Sequence, residues 1–308
     1  MHCVTTLMYW RRHVVLMCLL APVLLHAENV AITFDDLPLN GELAPGMTRV
    51  GIVRNVLEIL KSQRVPPVYG FVNAIGLEGN LDGANALKLW VSSGQMIGNH
   101  TYSHADLNAN TAESFLDDVR RNEPVLELLD GSDRWHWLRY PYLHEGDTLE
   151  KRRAVRSQIS QRGYRIAQVT LDFHDYLWNS AYARCHAKAD KKSIEWLHAS
   201  YLTAASQHLD ADRLMARMVF GREINHVLLL HLGAFSSSIL PDLLNLLHQK
   251  GFKLVTLDEA QKDRAYDADP DAASPPGGTL LGQWMNARAL KYPDMPATPD
   301  QQLETICQ

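Results

Sequence analysis

The chain reads as an α/β protein built on a parallel sheet, either a barrel of about seven strand–helix units or a doubly wound open sheet. Three observations predict this. Seven short apolar or β-branched runs alternate with longer helical patterns, as strand–helix–strand crossovers require. Of 308 residues, 46% are hydrophobic and 21% charged, a globular composition long enough to bury a large core. The polar residues able to do chemistry fall just after the apolar runs, at the strand ends where parallel sheets hold their sites.

Taken in order, residues 1–27 precede the fold. Arg11, Arg12 and His13 lead into the apolar run 14–25, and Leu25-His26-Ala27 has the look of a signal-peptide cleavage site. The run is shorter than the roughly 20 residues of a membrane span, so no stable membrane insertion is expected after cleavage; an uncleaved anchor is the alternative. The expected location is periplasmic or secreted. Loss of Arg11 and Arg12 would take the net charge from −5 to −7, and an acidic chain disfavours a nucleic-acid partner. Of the four cysteines, Cys185 and Cys307 would remain. Outside the cytosol two thiols are more often paired than free, yet spacing alone leaves both states open.

Strands are predicted at 30–34, 67–72, 95–98, 135–139, 165–171, 226–231 and 253–257. Helices are predicted between them at 48–62, 84–93, 111–129, 148–162, 191–220 and 239–250. The stretch 176–222 is long for one crossover and reads as two helices inserted into a domain spanning 28–262. The tail 263–308, rich in Pro, Asp and Gly with a helical piece near 280–290, reads as a C-terminal extension over the barrel surface.

The candidate site residues sort by strand. Asp35 and Asp36 follow the first, His100 and His104 the third, Arg139 ends the fourth, Asp172 and Asp175 follow the fifth, and His231 ends the sixth. On a helical turn the four-residue spacing of His100 and His104 would put both rings on one face, and one carboxylate would complete an open three-ligand metal site. Strand neighbours point to opposite faces, so Asp35 and Asp36 can share a site only where the strand has just ended, and Pro38 fits such an end. Paired carboxylates repel unless a cation offsets one of them and leaves the other free as a base. Packed histidines and a strand-end turn would explain the same residues singly.

Thr33-Phe34-Asp35-Asp36, His100-Thr101-Tyr102-Ser103-His104, Arg139-Tyr140-Pro141-Tyr142, Asp172-Phe173-His174-Asp175-Tyr176 and Leu229-Leu230-His231 occur in that order. This set resembles the five motifs of the NodB-homology polysaccharide deacetylases, carbohydrate esterase family 4. The resemblance spans about 30–260 and implies a distorted (β/α) barrel. It implies that Asp36, His100 and His104 hold a metal, usually zinc, with Co, Ni or Mn as substitutes. Asp35 would be the general base, kept ionised by Arg139, and His231 the general acid, oriented by Asp175. The backbone N–H of Tyr142 would help hold the oxyanion, while Leu229 and Tyr176 would shape the acetyl pocket. The implied partner is an acetylated glycan, and the implied reaction is removal of N- or O-acetyl groups.

This chain departs from the usual pattern at Tyr140, Leu143 and Tyr176, and Leu37-Pro38-Leu39-Asn40-Gly41 replaces the common Gly-Pro run. No ligand or proton carrier is lost, but the glycan is left open. A small amide substrate, or a glycan-binding protein without activity, are the alternatives. Trp135 and Trp137 are expected to share a core-facing side of one strand. His144, His174 and His186 are expected at the surface or rim, and Arg152 and Arg153 on a solvated helix face.

Overall fold

The computed structural model describes residues 28–308; the expected signal peptide lies outside them. Seven parallel strands form the sheet: β1 (Glu28–Asn40), β2 (Tyr69–Val72), β3 (Met96–Asn99), β4 (Trp137–Leu138), β5 (Arg165–Ile166), β6 (His226–Gly233) and β7 (Phe252–Val255). Helices α1 (Arg49–Ser62), α2 (Leu81–Ser92), α3 (Ala112–Leu129) and α4 (Leu149–Gln161) cross between the first five strands. Next come α5 (Leu177–Ala187) and α6 (Lys191–Phe220), with α7 (Ser236–Gln249) between β6 and β7. Short helices α8 (Leu257–Ala260), α9 (Leu280–Ala287) and α10 (Asp300–Thr305) complete the chain. No helix among the described residues is long and apolar enough to cross a membrane.

The sheet curls in the order β5-β4-β3-β2-β1-β6. Residues 30 and 31 of β1 pair with both β6 and β7, and residues 33 and 34 with both β6 and β2. β7 and β2 therefore share the edge of β1 opposite β6. After β5 the chain swings from Leu138 to a lone bridge between Leu171 and Leu228 on the other edge of β6. That swing joins the two ends of the curled sheet, so the architecture is a distorted (β/α) barrel rather than an open sheet. It also shortens the predicted strand 165–171 to two residues, because its later part leaves β4 to reach β6.

Strand parity sets the layers. Val30, Ile32 and Phe34 face the surrounding helices in the main core, whereas Ala31, Tyr69, Phe71, Trp137 and Val227 form a separate inner cluster with Leu257 and Ala260 of α8. Helices start at side-chain caps: Thr48, Thr111, Thr148 and Asp190 each accept from a backbone N–H three residues on. The long α6 ends at Gly221, whose φ of 68° suits a residue without Cβ.

Three expectations need correction. Trp135 and Trp137 are both buried but fall in different clusters, because β4 begins only at Trp137. Arg152 is fully buried rather than solvated, donating to Asp269 at 2.5 Å and Gln283 at 2.9 Å; Arg153 is exposed as expected. The charge of Arg152 is carried inward to bind the tail. The tail lies along the barrel: Leu280 N–H bonds to Val169 O at 2.7 Å, Ser274 N–H to Gly146 O at 2.9 Å, and α9 packs on α6. Cys185 and Cys307 form a disulfide across 122 residues, fastening the C-terminus to α5.

Candidate active site

The first strand does not end at Phe34, as Asp35-Asp36 suggested. β1 continues to Asn40 but slips register after Phe34, where Asp36 adopts φ 62°. This bulge-like break turns both carboxylates into one cleft, and Asp is among the residues that tolerate the left-handed region best. The His100–His104 segment is likewise not helical. Thr101 (φ 60°) and His104 (φ 59°) fold it back on itself. Thr101 Oγ1 accepts from Ala105 N–H at 2.8 Å, and Asn73 Nδ2 holds the carbonyls of His100 and Thr101. The turn brings the rings to 4.9 Å between centroids.

One donor atom from each of Asp36, His100 and His104 lies within 4.8 Å of the others. Asp36 Oδ1 sits 3.5 Å from His100 Nε2 and 3.4 Å from His104 Nε2, buried and without a hydrogen-bond partner. His100 Nδ1 lies 2.8 Å from Arg139 O; a carbonyl only accepts, so Nδ1 carries a proton and Nε2 is the atom turned toward Asp36. Burial, joined by the charge of His100, pushes His104 down to about 4. For Asp36, burial alone would raise the carboxyl, but the histidines around it, His100 first and then His231 and His104, hold it well below the usual range. An ionised carboxylate beside neutral imidazole, with an orphaned buried oxygen between them, is a donor set that fits a divalent cation.

The second carboxylate is held differently. Asp35 and Arg139 are both almost fully buried, and Arg139 Nη1 approaches Asp35 Oδ1 and Oδ2 at 3.1 and 3.3 Å. Arg139 is itself fixed by Nε to Ala167 O at 2.7 Å, Nη2 to Thr33 Oγ1 at 3.1 Å, and the Phe71 ring at 4.6 Å. Across the cleft, Asp175 accepts from the backbone N–H of His231 at 2.8 Å and from its Nδ1 at 2.7 Å. Burial would lower the imidazole, but the Asp175 carboxylate outweighs it, helped by Asp36 and Asp35, and pushes His231 up to about 10. Its Nε2 then carries a proton.

A cleft of about 520 Å³ gathers every one of these groups except Arg139 and Asp175, which stand behind Asp35 and His231. Tyr142, Leu229 and Tyr176 line it too; Tyr142 packs on His104 at 4.5 Å and Tyr176 on His231 at 5.2 Å. His144, His174 and Asp172 lie on its rim, while His186 is elsewhere, against Tyr182. The sequence offered no pointer to Pro276 and Gly278 of the tail, which also line the cleft. Between them Gly277 (φ 67°) has no room for a Cβ, with His144 Cδ2 at 2.3 Å and Tyr142 O at 3.0 Å. Asn40, whose Nδ2 donates to Asp36 Oδ2 at 2.7 Å, stands out in the sequence only as part of an unusual Leu-Pro-Leu-Asn-Gly run.

The family described as polysaccharide deacetylase matches residues 25–167, which contain the Asp-Asp, His-His and Arg139 motifs. That match covers a little under half of the chain, 143 of its 308 residues. A chitin deacetylase from Arthroderma benhamiae is 26% identical over 148 residues, covering 48% of this chain and 35% of the relative. One from Colletotrichum lindemuthianum is 27% identical over 168 residues, covering 54% and 60%. The chain thus spans between about a third and three fifths of the length of these curated relatives. The solved chitin deacetylase of Colletotrichum lindemuthianum superposes with a TM-score of 0.52 at 22% identity, covering 80% of this chain and 91% of that one, a likeness of fold. Asp175 and His231 lie beyond the matched residues, and the barrel brings them to the same cleft.

Proposed function

We propose that the chain is a metal-dependent deacetylase that hydrolyses acetyl groups on an acetylated glycan outside the cytosol. The observation that carries this reading is one cleft holding three convergent ion ligands, a second carboxylate locked by arginine, and a protonated histidine backed by aspartate. A divalent ion held by Asp36, His100 and His104, for which zinc is the expected choice, would polarise water and the acetyl carbonyl. Asp35 accepts the proton of the attacking water as the new C–O bond forms. The backbone N–H of Tyr142 donates to the negative charge growing on the carbonyl oxygen. His231 delivers its Nε2 proton to the departing sugar nitrogen or oxygen as the old bond breaks, and Asp175 keeps the ring in the tautomer this requires. Leu229 and Tyr176 border the space for the acetyl methyl. Export is supported by the signal-like run at 1–27 and by a Cys185–Cys307 bridge of the kind oxidising compartments favour.

The test is acetate release by the purified protein with added zinc, followed by mass spectrometry across chitooligosaccharides, muropeptides and acetylated xylan. Asp35→Asn should keep its ion yet lose on the order of 10²–10⁴ in rate. Full activity in that variant would remove Asp35 as the base, and glycan binding with no acetate release from any substrate would point to a non-catalytic protein.

A further inference from the structure

The orientation of Asp36 is set by a chain of amides outside the five motifs. Asn40 Nδ2 donates to Asp36 Oδ2 at 2.7 Å. A carboxylate oxygen only accepts, so the nitrogen of Asn40 faces Asp36 and its Oδ1 faces away. That Oδ1 accepts from Asn179 Nδ2 at 2.9 Å, and Asn179 Oδ1 accepts from the Phe235 backbone N–H at 3.2 Å. A backbone N–H can only donate, so both ends of the chain dictate the same polarity and neither amide can flip. The chain ends by engaging Oδ2 of Asp36, which leaves the orphaned Oδ1 turned toward Nε2 of His100 and His104.

The three links come from separate elements: the end of β1, α5 of the insert, and the turn between β6 and α7. Gly233 makes their meeting feasible. A Cβ there would lie 2.1–2.2 Å from the amide atoms of Asn179, although Gly233 does not occupy the left-handed region. Its lack of a side chain therefore serves the close approach of Asn179 rather than backbone freedom.

We propose that Asn40 and Asn179 are positioning residues for the divalent ion, holding Asp36 with Oδ1 committed to the ligand cluster. This rests on the reading of Asp36, His100 and His104 as an ion site. Partners that orient a ligand in this way are typically worth 10–100-fold in ion affinity.

The experiment titrates Co²⁺ into the metal-stripped full chain by calorimetry and records the thermal midpoint of each metal-free variant. Asn40→Ala should weaken Co²⁺ binding roughly 10–100-fold, and Asn179→Ala should weaken it in the same direction. The double variant should bind no more weakly than Asn40→Ala, because Asn179 acts only through Asn40. Asn179→Asp should be worse than Asn179→Ala, since its carboxylate draws Asn40 Nδ2 away and turns the Asn40 oxygen onto Asp36. Gly233→Ala should weaken binding alone and change nothing further in an Asn179→Ala background. Unaltered affinity in Asn40→Ala, or a loss no larger than its metal-free destabilisation explains, overturns the positioning role. A wild-type chain that binds no Co²⁺ overturns the ion-site reading and the positioning role with it.

Discussion

At the scale of single residues, the cleft separates its charges by giving each a different partner. Asp35 has a buried guanidinium, Asp36 an amide and two imidazoles, and Asp175 the two N–H groups of His231. The Asp175–His231 pair has a definite pH signature. A histidine raised to about 10 in the folded chain stabilises it fully below the ordinary value near 6.5, and that stabilisation is lost as pH rises toward 10. In Asp175→Asn the ring should lose its proton at lower pH, so the alkaline limb of the pH–rate profile should move toward acid; an unmoved limb would remove Asp175 from that role. Arg139→Met leaves the Asp35 carboxylate buried without its cation. Denaturant unfolding should show a loss of about 3–5 kcal/mol, and adding Asp35→Asn should recover part of it.

At the scale of elements, the regular pieces were legible because each carries its own periodic signal. The amphipathic α1, α3, α4 and α6 begin within a residue or two of the positions read from their helical patterning. The insert proved to be two helices, α5 and α6, as its composition suggested. What failed was local geometry at the site. Helical spacing of His100 and His104 and a strand end at Phe34 were reasonable defaults, but left-handed Asp36, Thr101 and His104 do that work instead. Such conformations are held by single side-chain bonds, here from Asn73 and Asn40, and leave no periodic trace. The tail belongs to this scale as well. The disulfide to Cys307 closes a span of 122 residues, so a Cys185→Ser/Cys307→Ser double variant should lose roughly 2–5 kcal/mol in unfolding experiments. Its acetate release under folding conditions should persist, because the cleft-lining loop has its own bonds through Ser274 and Asn108.

At the scale of the whole molecule, stability depends on polar groups buried where the barrel ends meet. His226 begins β6, is completely buried, and faces Thr170 on the segment that joins the sheet edges. Burial, helped by the charge of Arg213, pushes it down to about 3. Between pH 6.5 and 3 the unfolded chain takes up a proton that the folded chain refuses, so stability falls with decreasing pH by up to about 1.4 kcal/mol per unit from this group. Replacing it by glutamine should flatten the acid side of the stability–pH curve measured by urea unfolding; an unchanged slope would show that His226 is not the group responsible.

Composition and periodicity alone determined the α/β class, the alternation of strands and helices, and the clustering of Asp, His and Arg after the strands. Those features are written locally, in patterns only a few residues long. The closure at Leu171–Leu228, the burial of Arg152, the tail in the cleft wall and the amide chain from Phe235 to Asp36 were decided only by tertiary structure. Apart from the Asn40–Asp36 step, the closure, the Arg152 pairing and the links of the amide chain join residues 56 to 139 positions apart, and no local pattern encodes a contact whose partners meet only after the barrel curls.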